Sequence, residues 1–248
     1  MTNVVISGAY GKMGRVIAEI ISARDDCKVI GGIDKATGEA NFPVVNSPSL
    51  ISEKPDVIID FSHPSALPAL LDYCLTNGVA LVAATTGYNE ADIAQIHKAA
   101  EQIPVFFTWN MSLGINLLAE LAKKATKLLG NQFDIEIIEK HHNLKLDAPS
   151  GTALMLANAI NEELETPCGY VYDRHSVRQK RTKNEIGIHS VRGGTIVGEH
   201  EIIFAGRDEV ISLSHSATSK EVFAVGAVNA SVFLSGKPAG IYDMKHLI

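Results

Sequence analysis

The chain has 248 residues, 46% hydrophobic and 20% charged, which suffices for a sizeable core in one large or two modest domains. A net charge of −6 argues against general nucleic-acid binding, which needs a basic surface, and no apolar run approaches the roughly 20 residues of a membrane span. Cys27, Cys74 and Cys168 are too far apart for a zinc knuckle or a Cys-x-x-Cys pair and read as free thiols of a reducing compartment.

Met1-Thr2-Asn3 leads directly into Val4-Val5-Ile6. There is no basic n-region and no long h-region, so a cytoplasmic location is expected. Val4–Ser7 reads as a short buried strand, followed by a glycine turn and a helix over Arg15–Ala23. Lys28–Ile33 is a second strand, Asp56–Phe61 a third, and Pro64–Thr76 a helix. Ala80–Ala84 is a strand, Asn89–Glu101 a helix and Pro104–Thr108 a fifth strand. Strands alternating with helices predict a parallel sheet covered on both faces, and the non-alternating apolar strands agree. After Asn110 the pattern changes. Ser112–Leu129 reads as a long helix, Phe133–Glu139 as an alternating strand and Thr152–Leu164 as a helix. Pro167–Glu185 reads as an exposed basic loop, either solvated or serving as a lid or subunit contact. Gly187–Val191, Ile196–Ala205 and Glu209–His215 read as strands, Lys220–Leu234 as a helix and Gly240–Ile248 as a tail. The predicted fold class is α/β: a Rossmann-like dinucleotide domain and a smaller α+β domain with an open mixed sheet.

Gly8-Ala9-Tyr10-Gly11-Lys12-Met13-Gly14 follows the first strand and opens a helix. In that context the glycines let the backbone approach a pyrophosphate at a helix N-terminus; the alternative is a tight turn without ligand. Asp34 ends the second strand about 20 residues on, where a carboxylate can accept from ribose hydroxyls. Lys35 follows it and could pair with a 2′-phosphate. One position favours NAD and its neighbour tolerates NADP. Ser62-His63-Pro64 and Ala84-Thr85-Thr86-Gly87 lie at strand C-termini, where ligands of open α/β sheets bind. Thr108-Trp109-Asn110-Met111 closes the last strand, a place for a hinge where the chain leaves the first domain.

The densest polar cluster is Glu139-Lys140-His141-His142-Asn143-Leu144-Lys145-Leu146-Asp147-Ala148-Pro149-Ser150-Gly151-Thr152-Ala153. Adjacent histidines on a strand point to opposite faces and cannot easily share one ion, and His-Glu-x-x-His is absent, so no metal is expected. No Gly-x-Ser-x-Gly elbow surrounds Ser150. Acid catalysis with anion binding fits better. A histidine can donate a proton near neutrality, and Lys145 adds a compact positive charge. Ser150 is a candidate helix cap, after which the Gly151 and Thr152 amides can face a carboxylate.

On these residues the chain resembles the 4-hydroxy-tetrahydrodipicolinate reductase family, formerly dihydrodipicolinate reductase. Glu139–Ala153 is similar to the family's long signature. Gly8–Gly14, Ala84–Gly87, Asn110–Asn116, Ser190–Gly194, Gly198–His200 and Phe223–Ala227 support it. The resemblance implies a dinucleotide domain over 1–111 completed by 222–248, and a substrate-binding and oligomerisation domain over 112–221 that builds a homotetramer. It implies NADH and/or NADPH as cofactor and a small cyclic dicarboxylate as substrate. It places His141 and Lys145 as the proton-donor pair, and His142, Gly151 and Thr152 at the substrate. Gly8, Ala9, Tyr10, Gly11, Lys12, Met13, Asp34, Lys35, Ala84, Thr85, Thr86, Thr108, Trp109, Asn110 and Met111 match cofactor positions. Lys35 stands where several members carry arginine, Ala84 where many carry glycine, and Lys220 where arginine is usual. The alternatives are another two-domain amino-acid or semialdehyde dehydrogenase, in which the histidine signature would have no purpose, and a non-catalytic NAD(H) sensor.

Overall fold

The computed structural model describes residues 1–248, apart from the side chain of Asn131. The chain divides into two units, Met1–Leu113 with Glu221–Ile248, and Gly114–Lys220.

The first unit begins with β1 (Thr2–Ser7), α1 (Lys12–Ser22), β2 (Cys27–Ile33) and a two-residue β3 (Val44–Val45). β4 (Val57–Asp60), α2 (Leu67–Asn77), β5 (Ala80–Ala83), α3 (Glu90–Ala99) and β6 (Pro104–Phe107) follow. Strands β4 and β5 are buried along their whole length, which is why their apolar runs do not alternate. Gly78 ends α2 in the left-handed conformation (φ 61°), and Asn89 starts α3 through a reciprocal capping box with Asp92. The second unit contains α4 (Leu113–Leu129), β7 (Asp134–His141), α5 (Gly151–Asn161), β8 (Gly169–Val171), β9 (Glu185–Arg192), β10 (Gly198–Ala205) and β11 (Val210–Ala217). The chain then returns to the first unit as α6 (Glu221–Leu234) and β12 (Gly240–Tyr242).

The first sheet has the order β12-β6-β5-β4-β1-β2-β3, with every pair parallel. The chain direction across the sheet reverses between β1 and β4, and the crevice outside such strand ends is where open α/β sheets bind ligands. Two apolar clusters cover its faces. One is centred on Ile6, Ile59, Phe106 and α6; the other lies under α2 and α3. Two of its edge strands differ from the sequence reading. β3 lies in a segment to which the sequence assigns no element, and β12 lies in the predicted tail. Both are short enough that propensity alone leaves no signal, and their backbone groups are satisfied only by the neighbouring strand.

The second sheet is mixed, in the order β11-β10-β7-β9-β8. β10 runs antiparallel to β11 and β7, while β7 and β8 run parallel to β9. Ile135, Ile137, Ile186, Ile188, Ile202 and Phe204 fill one face, against Leu118 and Ala122 of α4 and Leu156 and Ile160 of α5. β8 interrupts the segment read as loop. Within that segment Arg174 and Arg181 turn onto the sheet. Arg174 bonds Glu136 (2.7 Å) and Glu185 (2.5 Å), and Arg181 bonds Asp134 (2.9 Å) and Glu136 (3.0 Å). His175, Arg178, Lys180 and Lys183 remain exposed. No helix among the described residues is long and apolar enough to cross a membrane.

Candidate active site

The glycine turn sits at the C-terminal end of β1. Gly8 has φ +82°, and a Cβ there would lie 2.6 Å from the Phe61 carbonyl oxygen at the end of β4. At Gly14 a Cβ would drive into the Gly8 carbonyl oxygen. The first i→i−4 bond of α1 runs from Arg15 N–H to Gly11 O (3.1 Å). The amides of Lys12, Met13 and Gly14 precede it and are the orphan donors of a helix N-terminus. Gly11 caps that helix without a side-chain hydrogen bond, so nothing of its own occupies the position an anion would take.

Asp34 accepts from Tyr10 N–H (2.9 Å) through one carboxylate oxygen and from Ala36 N–H (2.9 Å) through the other. Its carboxylate is therefore fixed, with lone pairs left for hydroxyl donors. Asp34, the exposed Lys35, Gly8, Gly11, Ser62 and His63 line a cleft of about 480 Å³. Bare backbone, orphan amides, a fixed carboxylate and an open cleft together fit a dinucleotide. Ala9 and Met111 are buried at 3% and 5% exposure and so offer backbone rather than side chain. Thr108 Oγ1 donates to Asn110 O (3.3 Å), while Trp109 is 75% exposed, its ring 5.7 Å from that of Phe107.

Ala84 and Thr85 meet a residue that the sequence reading passed over. Asp60, at the end of β4, is completely buried. It accepts from Ser62 N–H (3.2 Å) and Oγ (2.5 Å), Thr85 Oγ1 (2.8 Å) and Tyr88 OH (3.0 Å). Burial, with the Asp60 charge added, pushes the Tyr88 hydroxyl well above its ordinary range. One carboxylate thus ties the loops after β4 and β5 together. Thr86 stays exposed, outside this network. The clue in the sequence was an acid closing an otherwise apolar strand.

In the second unit β7 runs through His141, two residues beyond its expected end. Glu139 and His141 therefore share one face of the strand. Glu139 is completely buried. Its Oε2 lies 2.6 Å from His141 Nδ1, Arg192 of β9 forks onto both oxygens (2.7 and 2.8 Å), and Ser150 N–H donates to Oε1 (3.0 Å). Burial alone would raise the Glu139 pKa. The Arg192 fork, His141 and the backbone donor outweigh it and hold the carboxyl at about 2. For His141, burial lowers the pKa, Glu139 opposes that, and Lys145 and Arg192 add to it; the net direction is down.

Ser150 caps α5 by accepting from Ala153 N–H (3.2 Å), and its Oγ lies 3.1 Å from His200 Nε2. The first i→i−4 bond of α5 is Leu154 N–H to Ser150 O (3.1 Å), so Gly151 and Thr152 occupy the first turn ahead of it. A Cβ on Gly151 would meet nothing within 4 Å, so the space beside that residue is open. Lys145, 21% exposed, bonds Asp147 (2.8 Å). His142 has its Nδ1 buried without a hydrogen-bond partner among the described residues. His200 packs edge-on against His141, and burial, with His141 nearby, pushes its pKa down to about 4. Glu139 and Arg192 are the site residues whose roles the sequence reading left unassigned. Glu139 stands in the right place for an i, i+2 pair, but the pairing stays hidden when the strand is ended at Glu139. Among the described residues no group of three His, Cys, Asp or Glu side chains could hold a metal ion.

A nucleotide-type parallel sheet in one unit, and a histidine with adjacent cations at a helix N-terminus in the other, define a class: the dinucleotide-dependent oxidoreductases. Residues 2–111 match the family model described as "Dihydrodipicolinate reductase, N-terminus", and residues 114–248 that described as "Dihydrodipicolinate reductase, C-terminus". The chain belongs to the dihydrodipicolinate reductase family. It is 49% identical over its whole length to the 4-hydroxy-tetrahydrodipicolinate reductase of Caldanaerobacter subterraneus subsp. tengcongensis, 98% of which is covered. It is 47% identical over 98% of its length to that of Clostridium tetani, 96% of which is covered. Among solved structures, the dipicolinate-bound dihydrodipicolinate reductase from Paenisporosarcina sp. TG-14 matches with a TM-score of 0.82 and 26% identity over 100% of both chains. A probable dehydrogenase from Thermotoga maritima shares the fold, with a TM-score of 0.63 and 13% identity over 97% of this chain and 91% of that one.

The cradle makes a sharp prediction. The obstacle to a side chain at Gly14 is backbone, which cannot swing aside as a flexible side chain would. Gly14→Ala is expected to weaken dinucleotide binding at least about tenfold, equivalent to about 1.4 kcal/mol, by titration calorimetry. Wild-type affinity would show that the turn does not set the ligand's approach.

Proposed function

We propose that His141, assisted by Lys145, is the proton donor in the reduction of 4-hydroxy-tetrahydrodipicolinate to tetrahydrodipicolinate with loss of water. This reduction is the oxidoreductase activity that the chain contributes to diaminopimelate and lysine biosynthesis. The observation that carries the assignment of roles is a histidine held through Nδ1 by a buried, ionised Glu139, beside Lys145 and the first turn of α5.

The dinucleotide, when bound, supplies a hydride to a ring carbon. The chain's own groups do the rest. Lys12, Met13 and Gly14 offer amides to the pyrophosphate, and Gly8, Ala9, Tyr10 and Gly11 shape the turn around it. Asp34 accepts from the adenosine ribose, and Lys35 is placed to meet a 2′-phosphate. Ala84, Thr85 and Thr86, with Thr108, Trp109, Asn110 and Met111, form the nicotinamide end. We read NADH and NADPH as both usable, since a fixed anion and an exposed cation stand side by side.

His142, Lys145, Gly151 and Thr152 hold the carboxylates of the cyclic dicarboxylate. Holding them positions the ring for reaction, which can supply several kcal/mol of the barrier reduction. The His141 Nε2 proton then passes to the carbon adjacent to the reduced one. That the 26% identical reductase carries dipicolinate supports a planar dicarboxylate as ligand.

The domain assignment follows: 1–111 with 222–248 for the dinucleotide, and 112–221 for substrate and oligomerisation. A homotetramer is supported by the second sheet's other face, where Ile138 and Ile203 are only half-buried and Val191 and Val210 are 45% and 64% exposed. Free cysteines, two of them buried, support a cytoplasmic location.

The test is oxidation of NADH and of NADPH in parallel, with substrate generated freshly by the preceding synthase and pyridine-2,6-dicarboxylate as inhibitor. Turnover blocked by the dicarboxylate is expected. No turnover despite dinucleotide binding would overturn the reading.

A further inference from the structure

We infer that Glu139, clamped by Arg192, is a positioning residue that fixes the proton of neutral His141 on Nδ1 and reserves Nε2 for the transferred proton. The inference rests on the proposed role of His141 as proton donor.

Glu139 is completely buried, and a buried carboxylate survives ionised only when paired and fully hydrogen-bonded. Arg192 supplies a bidentate partner, and Ser150 N–H supplies another donor. An ionised carboxylate is acceptor-only. The 2.6 Å contact with His141 Nδ1 therefore requires the hydrogen to sit on Nδ1, and the ring is locked in that tautomer. Neutral His141 then carries a bare Nε2, and only the protonated ring carries hydrogen there.

A further feature agrees: Nε2 faces Gly198, where even a single Cβ would stand 3.2 Å away. A side chain there would crowd the nitrogen that must reach substrate.

The groups facing the ring come from every element around it. They are Glu139 on β7, Lys145 with its partner Asp147 on the following loop, Arg192 on β9 and His200 on β10, with His215 paired across from His200 on β11. His200 is held neutral by burial, so Glu139 and Asp147 stand against Lys145 and Arg192, two anions against two cations. Arg192 offsets the Glu139 field, so that the carboxylate orients the ring without trapping its proton. Removing the anion lowers the His141 pKa further. Activity that needs protonated His141 is lost as pH rises through that pKa, so the loss begins at lower pH.

The test is Glu139→Gln, which keeps size and the Ser150 contact. With the amide oxygen at the former Oε1, accepting from Ser150 N–H and Arg192, the NH2 group takes the former Oε2 position, donates to Nδ1 and moves the proton of the neutral ring to Nε2. Ring-15N-histidine NMR of the wild-type chain, with the His141 signals assigned by their absence in His141→Asn, is expected to show the Nδ1–H tautomer. Glu139→Gln is expected to show Nε2–H, a fall in kcat of about 100-fold, little change in substrate KM or dinucleotide affinity, and an alkaline limb displaced to lower pH. A ring proton on Nε2 in the wild type, or an unmoved tautomer and pH profile in Glu139→Gln, would overturn the inference. The wild-type spectrum decides even if Glu139→Gln fails to fold. It is also independent of substrate, so it separates this inference from the assignment of the reaction. Gly198→Ala gives a second reading: kcat falls while the tautomer stays Nδ1–H, whereas wild-type kcat would count against Nε2 as the delivering atom.

Discussion

Lys145→Ala is expected to lower kcat by about 10²- to 10⁴-fold, the range of a lost acid–base contribution, while dinucleotide affinity stays that of the wild type. The separation follows from the fold. The glycine turn, Asp34 and the Asp60 loop network all belong to the first unit, and Lys145 belongs to the second. The stability cost should be small. The Lys145–Asp147 pair joins a partly exposed lysine to an aspartate that is 59% exposed, and such pairs contribute only about 0–1 kcal/mol. Lys145 also depresses the His141 pKa, so the residual activity should persist to somewhat higher pH. Dinucleotide titration beside steady-state turnover checks both halves. Near-normal turnover would remove Lys145 from the proposed machinery.

Arg192→Met is expected to be the most destabilising single change in the second unit, by about 3–5 kcal/mol, because it strands a buried carboxylate without its partner. The thiomethyl chain keeps most of the volume, so the loss reports charge rather than packing. Hydrogen exchange at the β7 and β9 amides would read it locally. The double variant Glu139→Gln, Arg192→Met should recover part of the loss, since no charge is then left unpaired. The same pairing predicts acid sensitivity. Glu139 is held at about 2 in the fold, against an ordinary carboxylate value near 4.3. Its contribution is fully present above the ordinary value and drains away as pH falls toward 2. If Arg192→Met unfolds with wild-type stability and wild-type acid dependence, the carboxylate is not ionised as described.

Much of the architecture was legible from local chemistry. Val57–Asp60 and Ala80–Ala83 announce themselves because strands buried on both faces need uninterrupted apolar residues. The α3 start is written in Asn89 and Asp92, and the α5 start in Ser150, because caps are settled within three or four residues. The edges were not legible. Val44–Val45 and Gly240–Tyr242 are strands only because β2 and β6 offer them backbone partners. The basic segment's nature was likewise undecided until Glu136 and Glu185, on neighbouring strands, drew in Arg174 and Arg181.

For the site, the sequence by itself determined which chemical groups exist and which backbone they ride on. Gly14 must be small where its turn folds back on the Gly8 carbonyl, and the stretch from His141 to Thr152 places a histidine, a lysine and a helix start within twelve residues. These are short-range facts, encoded by sterics and spacing. Only the tertiary structure decided which nitrogen of His141 is committed to Glu139. That choice depends on Arg192, 53 residues beyond Glu139, arriving on a parallel neighbouring strand to keep a buried carboxylate ionised. Asp60 is the parallel case, its buried carboxyl group met by Ser62, Thr85 and Tyr88 from two separate loops. Neutralising or solvating a buried charge is a property of everything packed around it, and that packing does not exist until the strands have paired.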